Sequence, residues 1–139
     1  MGHHTQGMNW IRRSLRFAIY ARDSFDCVWC RCVFPVTEDG RGLSLDHVDG
    51  PANTPDNLVT CCHACNSSRK GTSLADWLRG RPDRRRRLAQ ALARPVDRAL
   101  GLALDKARRA GEPFTETLRR YRGALAYHDM HHPEDLSAG

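Results

Sequence analysis

The chain of 139 residues has no apolar run of membrane-spanning length, no secretory leader pattern and no repeat of fixed period. The first absence argues against a membrane-spanning helix, and the third against a repeat architecture. Without a leader, the expected compartment is the cytoplasm of a bacterial cell or of a cell making phage-encoded protein. In that setting the six cysteines read as metal ligands rather than as disulfides. Net charge is also nearly missing from the first eighty residues, which hold nine Arg/Lys against eight Asp/Glu. The remainder holds thirteen against eight, so most of the overall +6 and the pI near 9.3 comes from that part. A basic balance favours a polyanionic partner and says nothing of fold. The length suits one domain with a helical extension.

What is present is concentrated between two Cys-x-x-Cys pairs, Cys27/Cys30 and Cys62/Cys65. Each pair supplies two thiolates and a tetrahedral zinc needs four, so the two together predict one structural Zn²⁺. A segment this small cannot rely on an apolar core alone, which makes a structural metal physically reasonable. Cys32 is at the wrong spacing from Cys30 for a standard knuckle, and Cys61 directly precedes Cys62; both read as packed thiols. His63, inside the second pair, reads as an exposed knuckle residue. Residues 43–48 alternate apolar and polar, as a short strand does, and carry Asp46-His47. Pro51, Pro55, Gly50 and Asn53 make residues 49–56 a loop. Residues 57–61 would be the returning strand, and residues 63–70 a helix with Gly71 at its C-cap. Strict alternation would send Asp46 and His47 to opposite faces unless the strand ends or twists there.

These residue types suit phosphodiester hydrolysis, which needs an activated water and neutralisation of charge on the phosphate and leaving oxygen. Neutral imidazole of His47 can accept a proton near working pH. Asp46 offers a hard carboxylate, and Asn66 a side-chain carbonyl, to an oxygen-seeking ion such as Mg²⁺ or Mn²⁺.

Asp46-His47, Asn57 and the Cys62-x-x-Cys65-Asn66 run, set between two cysteine knuckles, resemble the HNH endonucleases over residues 20–77. The resemblance implies an α+β fold: a small zinc-stabilised ββα-metal (His-Me finger) nuclease core, here with an N-terminal helix and a C-terminal helical extension. It implies a divalent-metal-dependent endonuclease acting on DNA, with His47 as general base and with Asp46 and Asn66 holding Mg²⁺ or Mn²⁺. Asn57 matches the family's middle Asn, which fixes the loop and holds the His; the family places the Asp-His pair at the strand's end. Two departures stand out. Asn66 occupies a position where many members carry a second His, a change that favours a hard ion. The loop between His47 and Asn57 is shorter than in many members and lacks their usual Gly-Gly.

Around this core, residues 1–8 read as a flexible N-terminus, 9–80 as the nuclease domain, 81–128 as a basic helical extension and 129–139 as a flexible tail containing His131 and His132. His128 directly precedes that tail and shares the same reading. Ile11, Leu15, Ala18 and Ile19 mark a helix over residues 9–22, with Asn9 as N-cap and Arg12, Arg13 and Arg16 on a solvated face. Ser73 can cap a short helix carrying Leu74, Trp77 and Leu78. Pro82 opens an arginine-rich helix over residues 82–94. Leu100, Leu104 and Ala107 mark a second helix closed by Gly111, and Pro113 opens a third carrying Leu118, Tyr121 and Leu125. Arg69, Lys70, Arg84, Arg85, Arg86 and Arg87 are the candidate phosphate contacts, with double-stranded DNA as partner. There is no second zinc-finger pattern and no convincing helix-turn-helix, so weak sequence preference is expected. Two other readings remain open: a zinc-stabilised DNA-binding module without catalysis, and an assembly accessory such as a phage packaging factor.

Overall fold

The computed structural model describes residues 11–31 and 43–113, together with Glu116 and Arg119. Asn9, Cys32, the apolar residues of the third helix and the three C-terminal histidines lie outside the described residues. The elements are helix α1 (Arg13–Arg22), strands β1 (Leu43–His47) and β2 (Leu58–Cys62), and helices α2 (His63–Arg69), α3 (Leu74–Leu78), α4 (Pro82–Ala93) and α5 (Arg98–Arg109). A single 3₁₀ turn, Pro55–Asn57, leads into β2. The result is a small α+β fold around a two-stranded antiparallel sheet, paired from Leu43 with Cys62 to His47 with Leu58.

Pro82, Ser73 and Gly71 punctuate the chain as anticipated, and Asp97 adds a cap that was not. Pro82 sits in the first turn of α4, where its missing N–H costs nothing. The hydroxyl of Ser73 accepts from the N–H of Asp76, and the carboxylate of Asp97 from that of Leu100, satisfying donors that open α3 and α5. Gly71 follows α2 at φ +80°, a left-handed conformation that glycine enters without the Cβ penalty.

Among the described residues, two apolar clusters hold the fold together. The first joins Phe17, Ile19 and Tyr20 of α1 to Leu45 and Leu58 of the sheet and to Leu104 of α5. The second surrounds the cysteines: Trp29, Val59, Cys61 and Trp77 pack with Leu88 and Ala91 of α4. Both clusters cross residue 80, so the change in composition there is not a break in packing. Strand β2 is also tied along its other side. Val28 N–H donates to Thr60 O at 2.9 Å, and Thr60 N–H donates to the Asp23 carboxylate at 2.8 Å. Asp23 in turn forms a fully buried pair with Arg22, whose remaining donors reach Pro55 O and Leu58 O. Burial pushes the Asp23 carboxyl upward against the pull of Arg22.

The crossing of α1 and α5 depends on one glycine. A Cβ at Gly101 would lie 2.2 Å from Ser14 O and 2.8 Å from the Ala18 Cβ. Helix propensity alone favours Gly101→Ala by about 1 kcal/mol, but overpacking against a backbone oxygen costs about 3 kcal/mol. A net loss of about 2 kcal/mol is expected, read as a lower denaturation midpoint. An unchanged or raised midpoint would show that the helices do not meet at this residue.

Candidate active site and metal centre

The sulfurs of Cys27, Cys30, Cys62 and Cys65 all lie within 4.8 Å of one another. Cys30 Sγ and Cys62 Sγ are 3.9 Å apart, far beyond a disulfide bond. A tetrahedral site with Zn–S bonds of about 2.3 Å has sulfur–sulfur edges of about 3.8 Å. The donor set and its spacing therefore suit a tetrahedral, thiolate-seeking ion such as zinc. In the metal-free chain, burial pushes the Cys27 thiol up to about 11 and raises that of Cys65 as well, so metal binding must displace protons. The local fold explains which cysteines take part. Cys62 ends β2 and caps α2, its Sγ accepting from the Cys65 N–H at 3.4 Å. Cys61, one residue earlier on the strand, points to the opposite side; it is fully buried and outside the cluster. His63 is exposed and outside the cluster too.

Beside this centre a cleft of about 610 Å³ is lined by Asp46, His47, Asn66, Arg69 and Lys70, among others. Asp46 and His47 share it because β1 stops at His47 and the backbone turns into the following loop, so the alternation that would have separated them no longer applies. Asn57 is buried and holds that loop: its Oδ1 accepts from the Asp49 N–H, and its Nδ2 donates to Gly50 O and Ala52 O. It makes no hydrogen bond to His47. The partner of His47 is Asn53, with Nε2 to Oδ1 at 2.7 Å. Asn57 thus shapes the loop, and Asn53, which sequence reasoning passed over, touches the imidazole. A neutral ring that donates from Nε2 to this carbonyl oxygen would keep its lone pair on Nδ1.

Asp46 is held on one oxygen only. Its Oδ2 accepts from Trp29 Nε1 at 2.9 Å and from Arg69 Nη1 at 2.8 Å. Among the described residues Oδ1 takes no hydrogen bond. Asn66 donates from Nδ2 to Ser44 Oγ at 3.3 Å, two residues before Asp46 on the same face of β1, which leaves the Asn66 carbonyl oxygen unused by that bond. Oxygen donors of this kind suit a hard divalent ion.

The cationic residues sort differently from the sequence expectation. Arg69 is buried, and its guanidinium is spent on Asp46, on His47 O and on Val48 O, with its Cζ 5.6 Å from the centroid of the Trp29 ring. It braces the turn that carries Asp46 and His47 and is not a free phosphate contact. Lys70, next to it, is exposed at the rim of the cleft. The run of four arginines divides with the helical period. Arg84 stacks on Trp77 at 3.6 Å and donates to Trp77 O; Arg87 donates to Trp29 O at 2.7 Å. Arg85 and Arg86 are exposed. The guanidiniums of Arg84 and Arg87, expected to meet phosphate, are thus engaged in packing α4 onto the knuckle and α3.

Among the described residues, no helix is long and apolar enough to cross a membrane. Set against known proteins, the chain matches no family model, no curated relative and no solved structure.

Proposed function

We propose that this protein is a divalent-metal-dependent endonuclease of the HNH type, with a ββα-metal core braced by a structural zinc on Cys27, Cys30, Cys62 and Cys65. The observation that carries the reading is the meeting, in one cleft, of the His47 imidazole, held through Nε2 by Asn53, with Asn66 and an Asp46 carboxylate bonded within the protein through Oδ2. Asp46 through Oδ1 and Asn66 through its carbonyl oxygen would hold the ion. Bound there, Mg²⁺ or Mn²⁺ supplies Lewis-acid stabilisation of the charge that develops on the phosphate. His47 Nδ1 takes the proton from the attacking water while Asn53 keeps the ring in the tautomer that can do so. Lys70 neutralises phosphate at the cleft's rim. Cleavage of supercoiled plasmid with Mg²⁺ or Mn²⁺, compared with EDTA and with His47→Ala, tests the reading. No metal-dependent cleavage by intact, zinc-loaded protein would leave a DNA-binding module in its place.

Duplex binding is expected to draw on the exposed side of α4. Replacing Arg85 and Arg86 with Gln should weaken binding to every sequence alike and lower the salt slope by roughly two phosphates' worth, about 1.8 in log–log terms. Melting should be little affected, since both side chains are exposed. The double mutant keeping the wild-type slope would make this pair an ordinary solvated face. Including Arg84 and Arg87 would confound the measurement with lost packing.

A further inference from the structure

Trp29 stands between the two cysteines of the first knuckle and is fixed from several sides. It is 1 % exposed, and its ring meets Trp77 edge-on at 6.0 Å. Its carbonyl accepts from Arg87, and the Arg69 guanidinium lies over its ring. From that position its indole N–H reaches Asp46 Oδ2 at 2.9 Å. We propose that Trp29 is a positioning residue for the ion held by Asp46, fixing the carboxylate plane so that Oδ1 faces the cleft. The proposal rests on the nuclease reading and adds to it a link between the two metal centres: the four-cysteine site sets the knuckle, and the knuckle sets Asp46.

The two donors on Oδ2 act differently. Arg69 orients the carboxylate but also offsets its charge, which lowers its attraction for a cation. Trp29 is neutral, so it restricts rotation of the carboxylate without competing for its charge. Groups that hydrogen-bond a metal-ligating side chain typically contribute about 10- to 100-fold in metal affinity. Trp29→Phe keeps a buried aromatic ring but deletes the donor, together with part of the indole's volume.

The test is Mn²⁺ binding followed by electron paramagnetic resonance on full-length, zinc-loaded protein without DNA. Wild type should bind one Mn²⁺ in a site that Asp46→Ala removes. Trp29→Phe, with one zinc per chain and near-wild-type melting, should bind it roughly tenfold more weakly. Equal affinity in Trp29→Phe and wild type would overturn the proposal while leaving the nuclease reading intact. Absence of an Asp46-dependent site in wild type would overturn both. Should Trp29→Phe not fold, the indole N–H resonance of Trp29 in the wild-type protein decides, assigned by substituting the other two tryptophans. It should shift on adding Mg²⁺ and stay still in Asp46→Asn. A signal that ignores Mg²⁺ in wild type would refute the proposal.

Discussion

His47→Ala is expected to cut the rate of metal-dependent plasmid cleavage by roughly 10²- to 10⁴-fold, the usual contribution of a positioned general base. Zinc content and melting should stay near wild type. The imidazole sits half-buried at the end of β1, outside both apolar clusters, and its side-chain hydrogen bond is to Asn53 in a surface loop. Removing it leaves Asn53 able to find water, so little stability is at stake. The large fall in rate with a small change in fold is what separates a base from a scaffold residue. Near-wild-type cleavage by His47→Ala in Mg²⁺ or Mn²⁺ would remove His47 from the chemistry, and with it the assignment of the cleft.

Much of the frame was readable beforehand, because it is written in short-range physics. Strand alternation gave β1 to within one residue, and Ser73 and Pro82 gave the starts of α3 and α4. The four cysteines expected as ligands followed from spacing alone, and the structure brings the same four together. What was not readable is where long side chains end. Arg69 looked like a solvent-facing cation on the last turn of a helix, yet it folds inward onto three acceptors at the end of β1. Nothing in local sequence says which acceptors a guanidinium will meet some twenty residues away. Arg84 and Arg87 are a different case, since a signal existed. They share a helical stripe with Leu88 and Ala91, both buried, so the apolar face of α4 already marked which two of the four arginines would turn toward the protein. Trp29 and Asn53 carried no pattern at all: one is a residue between cysteines, the other a loop residue, and each matters through a single long-range or loop-mediated hydrogen bond.

Loss of the four-cysteine cluster should be the most damaging change to the fold. The second apolar cluster is built from the knuckle itself, with Cys27, Val28 and Trp29 on one side and Val59 and Cys61 on the other. Without an ion, four sulfurs crowded to within 4.8 Å gain little from one another. A structural zinc bound by such a set contributes about 10–16 kcal/mol at neutral pH, against a total stability of about 5–15 kcal/mol for a typical domain. Purified protein should therefore contain about one zinc per chain by elemental analysis. Cys65→Ser, a change at a half-buried position that does little beyond weakening a ligand, should abolish the cooperative thermal transition or lower its midpoint by tens of degrees. Cys61→Ala is the matched control: it deletes a buried thiol that is not in the cluster, so it should lose only about 1 kcal/mol and keep its zinc. A folded, zinc-free wild type, a disulfide among the four, or Cys65→Ser melting beside Cys61→Ala would each show that the cluster does not hold the fold together through a metal.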